Sequence, residues 1–322
     1  MSSIMPRIGL LGPILPYRGG IAQHTTMLHR NLSLQAELLT ISFKRLYPGW
    51  LYPGKSDREP GYEGYNEEKV HYLLDSLNPY TWLKACRLLA SHSPQLVVIP
   101  WWTVFWLPCF GLMAEYLRRR KIPVMFLCHN VVDHESRRWK AALSRLGLSR
   151  GTCYIAHTKA DAEALKSLIP KAKVAIQPHP IYNQFPPAKK NLPRRAKLEL
   201  LFFGIVRPYK GLDILVEAMN LLKGEDVFLS IVGEWWEKNE PLRKAVKEAE
   251  SHQRMEVVDR FVTAQEVADY FARADVVVLP YHSSTGSGIV ALAYHYEKPV
   301  IATDVGGLPE VVEDRVSGRL VP

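Results

Sequence analysis

At 322 residues, with 47% hydrophobic and 23% charged side chains, the chain has the make-up of a globular protein longer than one hydrophobic core ordinarily serves, so two domains are expected. No uncharged apolar run reaches the ~18 residues of a membrane span, and no N-terminal stretch has the layout of a secretory leader, so a cytoplasmic protein is expected. The net charge of +9 suits an anionic small molecule or peripheral contact with an anionic membrane, whereas nucleic acid is not expected as a partner, because the basic residues form no stripe interleaved with aromatics.

In chain order, Arg7 to Leu11 is a short apolar strand, and the loop after it, GPILPYRGGIAQHT, places Gly19 and Gly20 ahead of an amphipathic helix ending near Leu34. This is not the G-x-G-x-x-G fingerprint of a dinucleotide-binding turn. Phe43 to Val70, rich in Tyr, Pro, Gly and charge, reads as one long surface loop. A helix over Pro79 to Ser91 and a strand over Gln95 to Pro100 come next. The cluster Trp101, Trp102, Phe105 and Trp106 then enters a helix ending in Arg118, Arg119, Arg120 and Lys121, read as a buried helix with cations at its C-terminus rather than as a membrane contact. Strands are expected at Ile122 to Cys128, Cys153 to Ala156 and Val174 to Gln177, with a helix at Lys159 to Leu168. Cys86, Cys109, Cys128 and Cys153 form no C-x-x-C pair and read as buried, reduced thiols.

Pro178 to Arg195, dense in proline and charge, is the domain boundary, with domains over 1–185 and 186–322. The strand–helix pattern restarts at Leu198 to Phe203, followed by the turn GIVRPYKG and a helix marked by Leu212, Leu215, Val216, Met219 and Leu222. A strand at Val227 to Val232, a capping box of Thr263 and Glu266, a helix ending near Ala274 and a strand at Val276 to Pro280 complete this stretch. Short apolar strands alternating with helices make an α/β protein with parallel, doubly wound sheets.

Two glycine turns close the sequence. Ser283 to Gly288 leads into an apolar helix, leaving the N–H groups of Ser287, Gly288 and Ile289 at the positive end of its dipole, an anion site. After the strand VIAT, Gly306 and Gly307 open a second helix with Pro309 in its first turn. Arg207 and Lys210 read singly as solvated charges. Beside two such turns on one sheet edge they suit a diphosphate. His129 ends a first-domain strand and reads either as a hydrogen-bonded loop residue or as a catalytic group. Asp133, His134 and Glu135 come just after it, without the H-E-x-x-H spacing of a zinc site. No D-x-D, P-loop or Gly-x-Ser-x-Gly elbow occurs, so no metal is assigned.

The segments GGIAQHT, GIVRPYKGLDILVEA and GIVALAYHYEKPVIATDVGGLPEVV together resemble the GT-B glycosyltransferases of family 4, the group 1 glycosyltransferases. The resemblance spans the chain in the right order. It implies two Rossmann-like domains facing across a cleft, a nucleotide-diphosphate-sugar donor held mainly by the second, a glycan or lipid-linked acceptor held by the first, and metal-independent transfer with retention, with no cofactor beyond the donor substrate. Carried over by position, Gly19 and Gly20 lie in the loop that approaches the donor phosphates, His129 stands near the transferred sugar, and Arg207, Lys210 and Thr285 to Ile289 (Thr285, Gly286, Ser287, Gly288, Ile289) bind the donor. The arginine that usually follows the glycine of the diphosphate turn is replaced by Ile205, so Arg207 reaches from two positions on. Ser284 and Leu292 stand where the family often carries two glutamates. A GT-B nucleotide-sugar epimerase and a non-catalytic nucleotide-sugar-binding homologue are the alternatives. The second domain also reads as cut short after Gly318 to Pro322, since a further helical segment follows that motif in the family.

Overall fold

The computed structural model describes residues 5–62, 64–131, 138–181, 184–236, 239–251 and 254–322. Asp133, His134 and Glu135 lie outside the described residues. The chain divides into two compact units, Met1–Pro178 and His179–Pro322.

Unit 1 runs β1 (Arg7–Leu11), α1 (Gly20–Leu32), β2 (Glu37–Arg45), β3 (Val70–Asp75), α2 (Pro79–His92), β4 (Leu96–Trp101), α3 (Leu107–Arg119), β5 (Val124–Cys128), α4 (Arg138–Leu148), β6 (Cys153–Ala156), α5 (Lys159–Leu168) and β7 (Val174–Ile176). Its seven strands lie in the order β3-β2-β1-β4-β5-β6-β7, all parallel. The order reverses between β1 and β4, so the turn after β1, which carries Gly19 and Gly20, stands at a topological switch point.

The long loop expected from Phe43 is shorter than read. Phe43 to Arg45 belong to β2, and β3 begins at Val70. The strand β2 escaped notice because Thr40 and Ser42, buried at its centre, break the apolar run. Trp101 and Trp106 are each 1% exposed; Trp106 packs with Phe43 and Phe110 (centroids 4.7 and 5.4 Å) and Trp101 with Phe126 (5.9 Å), so the aromatic cluster is core. Each such ring contributes roughly 1.5–3 kcal/mol by burial. Cys86, Cys109 and Cys128 are buried and all four thiols are free, as their apolar neighbours suggest.

Unit 2 runs β8 (Leu198–Phe203), α6 (Leu212–Leu221), β9 (Val227–Val232), α7 (Glu240–Ser251), β10 (Met255–Val258), α8 (Ala264–Arg273), β11 (Val276–Leu279), α9 (Gly288–His295), β12 (Val300–Thr303) and β13 (Gly318–Val321). The strand order is β10-β9-β8-β11-β12-β13, again all parallel, with its reversal between β8 and β11. The capping box of Thr263 and Glu266 is present at the start of α8. The proline-rich stretch after Pro178 is laid on this unit. The N–H groups of Lys189 and Lys190 donate to Asp269 (2.9 and 3.0 Å), and the Tyr296 hydroxyl donates to the Pro186 carbonyl (3.0 Å).

The helix expected after Gly307 is instead a three-residue 3-10 turn, Leu308–Glu310. Val312 is buried and Arg315 takes φ 65, which returns the chain to β13 before a second helical turn can form.

Close packing of turns fixes the carboxyl edge of this sheet. A Cβ on Gly211 (φ +64) would stand 1.8 Å from the Pro280 carbonyl oxygen, so the turns after β8 and β11 touch backbone to backbone. Gly211→Ala is therefore expected to destabilise unit 2 by more than about 2 kcal/mol, whereas Gly224→Ala, at φ +99 with open space around it, should lose only about 1 kcal/mol. Urea unfolding of the two variants separates the close approach from backbone strain, and equal losses would show that the contact constrains nothing.

Candidate functional site

Unit 2 brings its expected donor-binding residues to the edge where its strand order reverses. β8 ends at Phe203, Gly204 (φ +99) turns the chain, and the 3-10 turn Pro208–Lys210 leads through Gly211 into α6. The Pro280–Ser287 turn, carrying Thr285 and Gly286, leads from β11 into α9. The N–H of His282 donates to the Tyr209 carbonyl (2.8 Å), and that of Gly307 to the Ser284 carbonyl (3.2 Å), so the turns after β8, β11 and β12 form one bonded surface.

Lys210 is not a solvated charge. It is 8% exposed, and its Nζ lies 3.0 Å from the point where a Cβ on Gly204 would stand; Ile289 Cδ1 of α9 lies 3.5 Å from the same point. Only glycine at 204 leaves room for the ammonium in this notch. Among the described residues no carboxylate is paired with Lys210, and burial together with the like charge of Arg207 pushes its pKa down to about 8. A buried cation in a turn at a switch point is chemically suited to an anion.

The first turn of α9 is less open than expected. Ser287 Oγ accepts the N–H of Ile289 (3.3 Å) and is hydrogen-bonded to the Tyr281 hydroxyl, whose pKa burial pushes up. Among the described residues the N–H groups of Ser287 and Gly288 have no protein partner. Ser284 and Leu292 are both buried; the Ser284 hydroxyl donates to the Gly286 carbonyl (3.0 Å) and Leu292 is 4% exposed.

Sequence reasoning missed the neighbouring turn after β9. Gly233 (φ +150) is followed by buried Glu234 and Trp235 and half-buried Trp236, and Val206 pairs with Trp235 beyond the ends of β8 and β9. The Arg207 guanidinium lies over the Trp236 ring, 4.8 Å from its centroid. The signal that could have found it is the doubled tryptophan after an apolar strand and a glycine.

In unit 1 the ground above Gly19 and Gly20 is open, with nothing within 4 Å of a Cβ at either position. α1 starts there and carries His24. His129 follows β5, its N–H donating to the Trp101 carbonyl (2.8 Å), and His157 follows β6, its Nδ1–H donating to the Gln177 carbonyl (2.9 Å). The three rings form a cluster, with centroids 5.0 Å apart for His24–His129 and for His129–His157 and 5.5 Å for His24–His157. None is more than 9% exposed. His129 thus stands in a buried trio of which sequence reasoning identified one member.

Burial, reinforced by His157, pushes the His24 pKa down to about 4, and burial also lowers that of His157. An unfolded chain takes up the proton below about pH 6.5 while the folded chain resists, so stability is lost as pH falls from there toward 4, by about 3 kcal/mol for His24 alone. Melting curves of the wild type and His24→Gln across this range should show the shallower acid loss in the variant, and parallel curves would remove His24 as the cause. Burial acts on Lys210 with the same sign at higher pH. Its cost is present below about pH 8 and relieved as pH rises toward the ordinary lysine value. Lys210→Met should therefore stabilise the unliganded chain by up to about 3 kcal/mol at neutral pH while weakening nucleoside-diphosphate binding. A less stable variant, or one that binds normally, would contradict that reading.

Residues 197–322 match the family described as "Glycosyl transferases group 1". A D-inositol 3-phosphate glycosyltransferase of Streptomyces bingchenggensis is 33% identical over 190 residues, covering 52% of this chain and 41% of its own length. A GDP-mannose:glycolipid 4-beta-D-mannosyltransferase of Xanthomonas campestris is 27% identical over 198 residues, covering 60% and 54%. The chain thus spans about half the length of these relatives, or less. Among solved structures, Anabaena HepE in complex with UDP-glucose matches with a TM-score of 0.71 at 17% identity, covering 98% of this chain and 85% of that one. Sucrose-phosphate synthase from Thermosynechococcus elongatus matches with a TM-score of 0.69 at 17% identity, covering 98% and 86%. The two parallel sheets are those of the GT-B fold, and the second unit is the part of the chain that matches the group 1 glycosyltransferase family.

Proposed function

We propose that the chain is a glycosyltransferase that moves a sugar from a nucleotide-diphosphate-sugar to a glycan or lipid-linked acceptor, without a metal and with retention at the anomeric carbon. The observation that carries this reading is Lys210, a buried ammonium with no paired carboxylate among the described residues, in the turn where the strand order of unit 2 reverses. The departing nucleoside diphosphate develops negative charge, and Lys210, Arg207 and the amino end of α9 are cations and dipoles already in place for it. Metal independence rests on these groups supplying the charge that a divalent ion would otherwise bring. Retention rests on the family resemblance. Of the named activities, transfer to a glycolipid belongs to the Xanthomonas relative, and it motivates a lipid-linked acceptor here. Among the described residues no helix is long and apolar enough to cross a membrane, so contact with a lipid substrate is proposed as peripheral. Trp50, 81% exposed in the loop between β2 and β3, is a side chain suited to it.

The test is release of free nucleotide from a panel of UDP-, GDP- and ADP-sugars, with and without chelator and with acceptor lipids in anionic vesicles, followed by assignment of the product anomer. Turnover that survives chelation and gives the donor's own anomeric configuration is expected. His129→Ala should lower kcat by roughly 100-fold with little change in donor affinity, as for a group acting in the transition state. Binding of donor with no turnover on any acceptor would favour the non-catalytic homologue, and conversion of the donor to an epimeric sugar would favour the epimerase.

A further inference from the structure

Arg207 is exposed, at the start of the 3-10 turn Pro208–Lys210, and a long exposed arginine ordinarily samples many rotamers. Here its surroundings narrow that freedom. The pairing of β8 with β9 continues past both strand ends. The N–H of Val206 donates to the Glu234 carbonyl (2.9 Å), and the N–H of Trp236 donates to the Val206 carbonyl (3.0 Å). Arg207 and Trp236 are therefore carried by two backbone segments bonded to each other. The indole N–H of Trp236 donates to Glu234 Oε2 (3.2 Å), and Glu234 is 7% exposed, so the ring is tethered at its polar edge by a buried carboxylate. Over its face lies the Arg207 guanidinium, 4.8 Å from the centroid. A Gly233 Cβ would stand 2.1 Å from the Gly204 carbonyl oxygen, so the two turns are as closely apposed at their bases as they are linked at their tips.

We propose that Trp236, tethered by Glu234, is a positioning residue of the donor site: its indole face holds the Arg207 guanidinium in place for the diphosphate. This rests on the donor-binding reading above. A guanidinium stacked on an aromatic plane keeps its in-plane N–H donors available, so the platform fixes direction without consuming the hydrogen bonds the phosphates need. It also supplies what Ile205 does not. With no arginine directly after Gly204, the cation comes from two residues further on, and a longer reach needs an external support.

Calorimetry with UDP, GDP and ADP on the wild type, Arg207→Ala, Trp236→Ala, Trp236→Phe and the Arg207→Ala/Trp236→Ala double variant tests the idea. Arg207→Ala is expected to weaken binding by at least about tenfold and Trp236→Ala by roughly two- to fivefold, with Trp236→Phe between Trp236→Ala and wild type because it keeps an aromatic face but loses the N–H bond to Glu234. The double variant should bind no more weakly than Arg207→Ala alone, since Trp236 acts through that arginine. Multiplied losses in the double variant, or unchanged affinity in Trp236→Ala, would overturn the proposal while leaving donor binding intact. A wild type that binds none of the three overturns the donor reading instead. The platform itself is checked apart from any nucleotide by the rate of phenylglyoxal modification at Arg207. That rate is expected to rise several-fold in Trp236→Ala, and equal rates in the two proteins would remove the platform.

Discussion

A Cβ on Gly233 would stand 2.1 Å from the Gly204 carbonyl oxygen, one on Gly211 1.8 Å from that of Pro280, and one on Gly306 1.6 Å from that of Ser284. These backbone-to-backbone approaches knit the turns after β8, β9, β11 and β12 into one layer with no side chain between them. In a layer built this way the side chains that do emerge have few places to go. Lys210 is confined to the notch above Gly204, and Arg207 lies over Trp236. The positions of the cations follow from the glycines, and the glycines follow from the need to bring parallel strand ends together where the order reverses.

Unit 2 contains a second buried cation that makes the state of Lys210 informative. Arg273 is also 8% exposed, yet it is paired with Glu199 (3.5 Å) and Glu256 and is hydrogen-bonded to Ser230 (2.5 Å). Two cations of equal burial in one unit are thus treated differently. At Arg273 the desolvation cost is offset by carboxylates, as folding alone would favour. At Lys210 no carboxylate does so among the described residues, and burial lowers its pKa. A buried cation left in a costly state against the example of its neighbour is the kind of group on which the proposed donor-binding reading rests.

Much of the fold was legible because short apolar strands bounded by glycine and proline announce a parallel sheet, and because features such as the Thr263 and Glu266 box are local. The misses have physical causes. β2 carries Thr40 and Ser42 buried in its centre, so its pattern is not apolar. α7 and β10 come after a turn whose tryptophans obscure the strand end. The glycine turn at Gly306 resembles a helix start, but the chain beyond it reaches β13 too soon for a helix. In the site, single residues were legible where they sat in a turn with a recognisable sequence, as Arg207 and Lys210 do. The histidine trio was not, because His24, His129 and His157 come from α1 and from the ends of β5 and β6, and only the strand order brings them within about 5 Å of one another.

The neutral residues at Ser284 and Leu292 change the electrostatics of the edge more than its shape. From Val276 to Tyr296 there is no Asp or Glu, so the turn and helix facing Lys210 and Arg207 bring no negative charge toward them. Leu292 packs in the apolar interior at 4% exposure, where a carboxylate would itself need a buried partner, so the loss is built into the packing of α9 rather than confined to its surface. Cations unopposed by nearby carboxylates attract a diphosphate more strongly and discriminate less among sugar hydroxyls, because hydroxyl recognition depends on acceptors placed by side chains while phosphate recognition depends on charge and N–H groups. On this edge Glu234 is bonded to Trp236, Asp213 of α6 meets His282 (3.2 Å), and Asp304 and Glu310 follow β12. On the proposed donor-binding reading, such an edge would grip phosphates more than it reads the sugar, with the tryptophan turn beside Gly204 as its support.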